Sequence, residues 1–254
     1  MAKKKLNRNR VIQMALFIFF LCTFFLGTYL TVSTLIEDGK AKDLYSNIRD
    51  KVTPVSTQDP TEEKSDKIDF VALKEIDSNV VAWLRLDGTI VDYPVVKGKN
   101  NEYYLRHLIT GEWNKAGTLF IDYRCKNPFL DKNTIVYGHH NKQGLMFAEF
   151  KNYRKQAYYD QHKVIKIFTP EGNYEVELIA MTLEDGAHEF VRFDLQDNQA
   201  FLDYIAKLKQ RSTFKSTVEI SAGDKIVSFV TCSYDITNGR YLLVGKLVPV
   251  EPEN

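Results

Sequence analysis

A stretch without any charged residue, from Val11 to Ile36, constrains this chain more than any other feature. At about 1.5 Å rise per residue, a helix of this length can cross a hydrocarbon core of about 30 Å. Basic residues cluster before the stretch, and Glu37 and Asp38 follow it. We therefore predict a single-pass protein of the cell membrane, with a cytoplasmic segment over residues 1–10, a transmembrane signal-anchor in contact with lipid, and the remainder outside the cell. A cleaved signal peptide is the alternative, because its basic and apolar regions look alike.

The segment after the apolar stretch, residues 37–66, is polar and charged and contains two prolines. Such a composition buries little apolar area, so we predict an extracellular linker or stalk here. Within it, Leu44, Ile48 and Val52 recur at helical spacing, which predicts one short helix. The folded domain is then expected over residues 67–254.

Short strand patterns separated by turns dominate residues 67–254. This organisation is typical of a mainly β protein, either a sandwich or a barrel. The predicted strands are Val81–Leu86, Ile90–Val96, Gly117–Asp122, Thr134–Gly138, Val164–Phe168, Tyr174–Thr182, Lys225–Thr231 and Arg240–Pro249. Helices are predicted after Asp66, near Met146–Phe150 and from about Gln196 to Arg211.

Charge and ligand patterns exclude several classes of function. The formal net charge is +1, and beyond the N-terminal cluster the basic residues are dispersed and nearly matched by carboxylates, so nothing favours a nucleic-acid partner. His139 and His140 are adjacent and point to opposite sides of an extended chain, and no other ligands cluster with them. We therefore predict no metal site and no cofactor.

Cys232 is the strongest candidate for a nucleophile. It directly follows the predicted strand Lys225–Thr231, and ladder hydrogen bonds at a strand end can aim a side chain within the tolerance of an attack geometry. Cys125 is the rival, because its neighbours Arg124 and Lys126 would lower the pKa of its thiol. A disulfide between the two cysteines is the structural alternative in an exported domain.

The pair His139–His140 ends another predicted strand and is the best source of an imidazole for acid–base chemistry. Gly138, just before the pair, allows an unusual backbone angle or the close approach of a substrate chain. For the other three histidines we expect ordinary structural or surface roles; these are His107, His162 and His188.

Arg240 begins the strand after Cys232, beyond the turn-rich segment Asp235–Gly239. If the two strands form a hairpin, Cys232 and Arg240 emerge at the same end and face each other. A fixed positive charge there would hold a substrate carbonyl and stabilise the oxyanion of a tetrahedral intermediate. The alternative is a solvated arginine beside Asp235.

Several segments, in matching order over about residues 67–249, resemble those of the class B sortases. They are Asn79–Leu84, Ile90–Val96, Asn101–Leu105, Gly117–Asp122, Val136–His140 and Met146–Phe147. The resemblance implies a closed eight-stranded β-barrel with peripheral helices. It carries the catalytic cysteine of the family onto Cys232, the histidine onto His139 and the arginine onto Arg240. One departure is Phe229–Val230, where the family more often has a pair such as Leu-Ser, and this affects the adjacent groove.

The resemblance further implies a cysteine transpeptidase that is anchored in the membrane of a Gram-positive bacterium. It would cleave a C-terminal sorting signal of surface proteins through a Cys232 thioester and pass the acyl group to an amine of a cell-wall peptidoglycan precursor. Two alternatives remain at this point. One is a secreted cysteine peptidase or amidase with water as acceptor, and the other is an anchored β-barrel that binds a partner without catalysis.

Overall fold

The computed structural model describes residues 8–53, 67–140 and 144–251. The chain divides between Lys40 and Ala41 into two compact units. Most of the predicted cytoplasmic segment, and residues 54–66 of the predicted linker, lie outside the described residues.

Helix α1 spans Arg8–Val52 and contains the whole uncharged stretch. The large apolar side chains along that stretch are exposed. Hydroxyl groups within it are satisfied by the helix itself, because Thr23 and Thr28 each donate to a carbonyl three residues earlier. Within the described part of the chain, this is the one helix that is long and apolar enough to cross a membrane.

Eight strands of the described chain form a closed β-barrel, as the resemblance implied. In chain order they are β1 Val80–Arg85, β2 Asp92–Val96, β3 Leu119–Ile121, β4 Asn133–Tyr137, β5 Val164–Thr169, β6 Gly172–Asp185, β7 Lys225–Cys232 and β8 Gly239–Val250. Around the barrel the order is β1-β2-β3-β4-β7-β8-β6-β5, and β5 closes onto β1. Each predicted strand overlaps one observed strand.

Two pairings bring distant parts of the chain to one rim of the barrel. Strands β4 and β7 are parallel, with Tyr137 opposite Val230, so both strands end at the same edge. Strands β7 and β8 are antiparallel, with Cys232 opposite Arg240. The residues that follow β4, the last residue of β7 and the first residues of β8 therefore meet.

An aromatic cluster in the core lies beneath this rim. Phe147, Phe150 and Phe229 are fully buried, and their ring centroids lie 4.3–5.9 Å apart. The first two belong to a 3-10 helix over Phe147–Arg154, where the sequence predicted a helix near 146–150. This helix anchors the loop after β4 from its C-terminal side.

Short helices cover the outside of the barrel. Helix α2 (Phe70–Ile76) begins after Asp69, whose carboxylate accepts the N–H of Ala72 at 2.9 Å. Helix α3 spans Gln156–Gln161. Helix α4 spans Asn198–Arg211 and buries three apolar residues at the predicted spacing, namely Phe201, Ile205 and Leu208.

The structure differs from the predicted linker over residues 41–52, which continue α1 and pack on the barrel. One face of this segment is buried, at Ala41, Tyr45, Ile48 and Val52. The Tyr45 hydroxyl donates to the carbonyl of Gly117 at 2.8 Å, and Arg49 lies 3.2 Å from the carboxylate of Asp92. The polar composition that suggested a stalk therefore belongs to one side of an amphipathic segment, and the other side is part of the folded unit.

Candidate active site

A cleft of about 370 Å³ lies at the rim where β4 and β7 end and β8 begins. Three of the residues that line it are Cys232, His139 and Arg240. Residues 189–191, from the segment between β6 and α4, form part of its wall. The structure thus brings all three predicted catalytic residues into one cleft.

Cys232 and Arg240 are cross-strand neighbours in this cleft. Their Cα atoms are paired, and side chains of directly opposite residues lie on the same face of an antiparallel pair. The predicted hairpin is present, and the N–H of Ser233 donates to the carbonyl of Gly239 at 2.8 Å. Nη1 of Arg240 donates to the carbonyls of Asn238 and Gly239, at 3.2 and 2.9 Å, which holds the guanidinium beside the loop that follows Cys232.

His139 follows Gly138 at the end of β4, and its Nε2 lies 2.6 Å from the carbonyl oxygen of Leu105. Because a carbonyl only accepts, this bond places a proton on Nε2 and leaves Nδ1 as the nitrogen that can gain or lose a proton. Burial lowers the pKa of His139, and the opposing effect of the Leu105 bond is smaller. The neutral imidazole is therefore the main form at neutral pH.

His140 points away from the cleft. The residue is 7% exposed, and its Nδ1 lies 2.9 Å from the carbonyl oxygen of Cys232. Adjacent residues of an extended chain project to opposite sides, so only one of the pair can face the substrate. Of the two histidines, the one that lines the cleft is His139.

Gly138 lines the cleft, and it does not adopt the unusual backbone angle that the sequence allowed, because its backbone is not left-handed. The side chains of Leu119 and Phe147 approach it closely. A Cβ at this position would lie 2.4 Å from Leu119 Cδ2 and 2.6 Å from Phe147 Cδ2. Glycine is therefore required for core packing immediately beside His139.

Cys125 is buried and does not line the cleft, which contradicts its candidacy as the rival nucleophile. Its Sγ accepts the N–H of Ile135 at 3.4 Å, and burial raises its pKa to about 11. Cys125 and Cys232 are both free, so the disulfide alternative is wrong. The flanking charges that favoured Cys125 in the sequence are outweighed by desolvation.

The remaining histidines are held by local contacts outside the cleft. His107 stacks on Tyr103 at 4.1 Å between ring centroids, and His162 stacks on Tyr158 at 4.2 Å. His188 is exposed beside Asp185. Among the residues that the structure describes, no group of three or more His, Cys, Asp or Glu side chains could hold a metal ion.

A charged cluster in the cleft wall was missed by the sequence analysis. Arg124 binds the buried carboxylate of Asp122 in bidentate fashion, with Nε–Oδ1 and Nη2–Oδ2 distances of 3.0 and 2.8 Å. Its Nη1 lies 3.3 Å from Glu189, and its guanidinium lies 4.2 Å from the ring centroid of Phe193. These contacts fasten the wall segment to the end of β3. No spacing in the sequence indicates them, because Glu189 and Phe193 are distant along the chain.

The two arginines of the cleft differ in how their charge is balanced. The charge of Arg124 is matched by Asp122 and Glu189, whereas no ion pair between described residues includes Arg240. Asp235, the expected neighbour of a solvated Arg240, pairs with Arg154 at 3.1 Å instead. Arg240 is therefore the cation in the cleft whose charge is available to a substrate.

No protein-family model matches the chain. It is 35% identical over 217 residues to sortase B of Listeria monocytogenes, which covers 85% of this chain and 84% of the relative. It is 29% identical over 224 residues to sortase B of Staphylococcus aureus, which covers 87% of this chain and 91% of the relative. The structure of a Staphylococcus aureus sortase B–substrate complex superposes with a TM-score of 0.74 at 28% identity, over 85% of this chain and all of that chain.

Proposed function

The chain belongs to the sortase B family of cysteine transpeptidases that act on sorting signals, and we propose that Cys232, His139 and Arg240 perform its reaction at the outer face of a membrane. The proposed acceptor is an amine of a peptidoglycan precursor. The observation that carries the proposal is that these three side chains, from three different strand ends, line one cleft.

The first step forms an acyl-enzyme. The Cys232 thiolate attacks the scissile carbonyl of the sorting signal, and a C–S bond forms as the carbonyl oxygen takes up negative charge. The guanidinium of Arg240, which pairs with no carboxylate among the described residues, stabilises this oxyanion. His139 then gives the proton on Nδ1 to the leaving amide nitrogen, the C–N bond breaks, and a thioester remains.

The second step reverses the roles. The acceptor amine attacks the thioester carbonyl, Nδ1 of His139 accepts the proton that the amine loses, and the Cys232 thiolate departs as the new amide forms. Because burial lowers the pKa of His139, its neutral form is well suited to this base role. The protonated form needed in the first step is then the less populated one at neutral pH.

We further propose that α1 anchors the enzyme, with residues 1–10 in the cytoplasm and the barrel outside. The support is the length and apolar exterior of α1 over residues 11–36, together with the basic residues before it. Residues 41–52 belong to the catalytic unit in this proposal, which shortens the linker to residues 53–66. Mass measurement of the membrane fraction should find the uncleaved N-terminus, and a mature chain that begins near residue 30 would contradict the anchor.

The experiment uses the full chain in detergent with a library of fluorescence-quenched sorting peptides. Cys232→Ala should abolish cleavage, and the matched Cys125→Ala should not. Arg240→Lys keeps a positive charge but loses the fork of donors, and we expect kcat to fall by about 100-fold or more. His139→Ala should lose both cleavage and ligation, because no other imidazole lines the cleft.

The acceptor is tested in the same assay by adding an amine nucleophile. A ligated product supports transpeptidation, whereas free acid alone at saturating amine would identify a peptidase. Cleavage that persists in Cys232→Ala would refute the nucleophile. Wild-type turnover in Arg240→Lys would remove the proposed oxyanion role.

A further inference from the structure

The side chain of His140 takes the place of a backbone N–H in the hydrogen-bond ladder between β4 and β7. Strands β4 and β7 are parallel, and the N–H of Gly138 donates to the carbonyl of Val230 at 3.1 Å. The bonds of a parallel ladder repeat every two residues, so the next one would join the N–H of residue 140 to the carbonyl of Cys232. The side chain of His140 makes that bond instead, with Nδ1 2.9 Å from the carbonyl oxygen.

The imidazole of His140 is itself held on several sides. Residue 140 is 7% exposed, and it forms an isolated antiparallel bridge with Met146. The hydroxyl of Tyr234, two residues after the nucleophile, donates to the carbonyl of His140 at 2.8 Å, and the two rings lie 5.1 Å apart. Two reciprocal contacts thus join residue 140 to residues 232 and 234.

These contacts influence the orientation of the Cys232 side chain. The peptide before Cys232 is held by the ladder with β8, where Thr231 is opposite Tyr241. The peptide after Cys232 lies at the end of β7, and its carbonyl is bound by His140. Fixing the peptides on both sides of a residue fixes the direction of its Cα–Cβ bond, and Sγ is then limited to the few staggered positions about that bond.

We propose that His140 is a positioning residue for Cys232, which it orients by donating its Nδ1–H to the carbonyl of the nucleophile. Because a carbonyl only accepts, Nδ1 must carry the proton, and the imidazole acts as a neutral donor. This role is distinct from that of His139, which faces the cleft and exchanges protons with substrate. The inference rests on the proposed function for its effect on turnover, but the orientation of Cys232 can be measured without a peptide substrate.

The test compares His140→Phe, which keeps a ring but has no donor, with His140→Asn, whose amide N–H can replace Nδ1–H. The matched controls are His162→Phe and His162→Asn, because Nδ1 of His162 also bonds a carbonyl, that of Tyr158 at 3.1 Å, outside the cleft. For each full-length variant in detergent, three quantities are measured: the rate of Cys232 alkylation by iodoacetamide, followed by peptide mapping; kcat and KM on a cleaved sorting peptide; and the unfolding temperature.

We expect His140→Phe to lower both the alkylation rate and kcat by about 10- to 100-fold, with KM changed less than about twofold. His140→Asn should recover both rates to within about threefold, and the acid limb of its pH profile should stay where it is, because the titrating imidazole is that of His139. The His162 controls should match the wild type. If His140→Phe does not fold, Tyr234→Phe tests the support of His140, because it removes the hydroxyl that donates to the carbonyl of residue 140, and we expect a smaller fall in both rates.

Wild-type rates in His140→Phe would overturn the inference. A second result would also overturn it: His140→Asn reacts as slowly as His140→Phe although it unfolds at the wild-type temperature. The imidazole would then act by titration and not as a neutral donor. Failure of the proposed function is a separate result: a wild-type enzyme that cleaves no sorting peptide, while the alkylation rates still follow the donor at residue 140, refutes transpeptidation and supports the positioning role.

Discussion

Replacing Gly138 with alanine should destabilise the protein and slow its reaction through the same steric conflict. The added Cβ would lie 2.4 Å from Leu119 Cδ2 and 2.6 Å from Phe147 Cδ2. Carbon atoms pack at about 3.5–4.0 Å, so the backbone or its neighbours must move by about 1 Å. Leu119 and Phe147 are fully buried, and the close packing of protein interiors leaves such side chains little room to move. Overpacking of this kind costs about 1–3 kcal/mol of unfolding free energy.

The displaced backbone is that of the strand end that carries His139. Moving a catalytic group by about 1 Å can cost about 100-fold in rate, so we expect kcat to fall by that order. The KM for the sorting peptide should change less, because most residues that line the cleft lie outside this strand end. Unfolding in urea can be followed by the fluorescence of Trp83, which is fully buried in the barrel, and kcat and KM are measured on the same preparation.

Gly223→Ala is the matched control. No atom lies within 4 Å of its added Cβ, and its backbone is not left-handed. This substitution should leave turnover unchanged and raise the unfolding free energy by about 0.4–1 kcal/mol, because alanine restricts the unfolded chain. The steric reasoning is wrong if Gly138→Ala unfolds at the wild-type urea concentration and keeps the wild-type kcat.

Three further predictions concern groups away from the reacting atoms. Burial tends to raise the pKa of Asp122, but the hydrogen bonds from Arg124 lower it overall. The pair therefore stabilises the fold above a pH of about 4, and this contribution is lost as pH falls through the lowered pKa. Asp122→Asn should cost about 1–3 kcal/mol of unfolding free energy at pH 7 and flatten the acid side of the stability profile, and an unchanged profile would refute this. Iodoacetamide at pH 7 should modify Cys232 and spare Cys125, whose pKa burial raises to about 11, and peptide mapping that finds both modified equally would contradict the burial argument. Tyr45→Phe removes a buried hydroxyl from two hydrogen bonds, so urea unfolding should show a loss of about 1–2 kcal/mol with normal turnover, and no loss would mean that residues 41–52 do not stabilise the catalytic unit.

The positions of the strands could be read from the sequence because alternation of apolar residues is a local property. The run that ends at Cys232 and the run that begins at Arg240 have this pattern, and both became strands. The turn-rich segment between them fixed their pairing, since a short loop leaves an antiparallel hairpin as the simplest connection. The facing of Cys232 and Arg240 followed from that local logic.

Other features depended on contacts between segments far apart in the chain. Residues 41–52 look polar in sequence, and only the barrel surface around Gly117 and Asp92 shows that one face is buried. Arg124 was interpreted as a neighbour of Cys125 because the two are adjacent, but its guanidinium bonds Asp122 and the distant Glu189. Adjacency in sequence does not determine on which side of the backbone a side chain meets its partners.

The sequence by itself determined the apolar helix, the eight strands and the residue types that cysteine chemistry requires, because periodicity, turn composition and chemical identity are all local. The resemblance pointed to His139, but only the tertiary structure gives the physical difference between the two histidines, since His139 lines the cleft and His140 bonds the carbonyl of Cys232. The same holds for Cys125, whose charged neighbours predicted reactivity and whose burial removed it. Burial and long-range register are properties of the assembled barrel, and they decide which of the available groups can react.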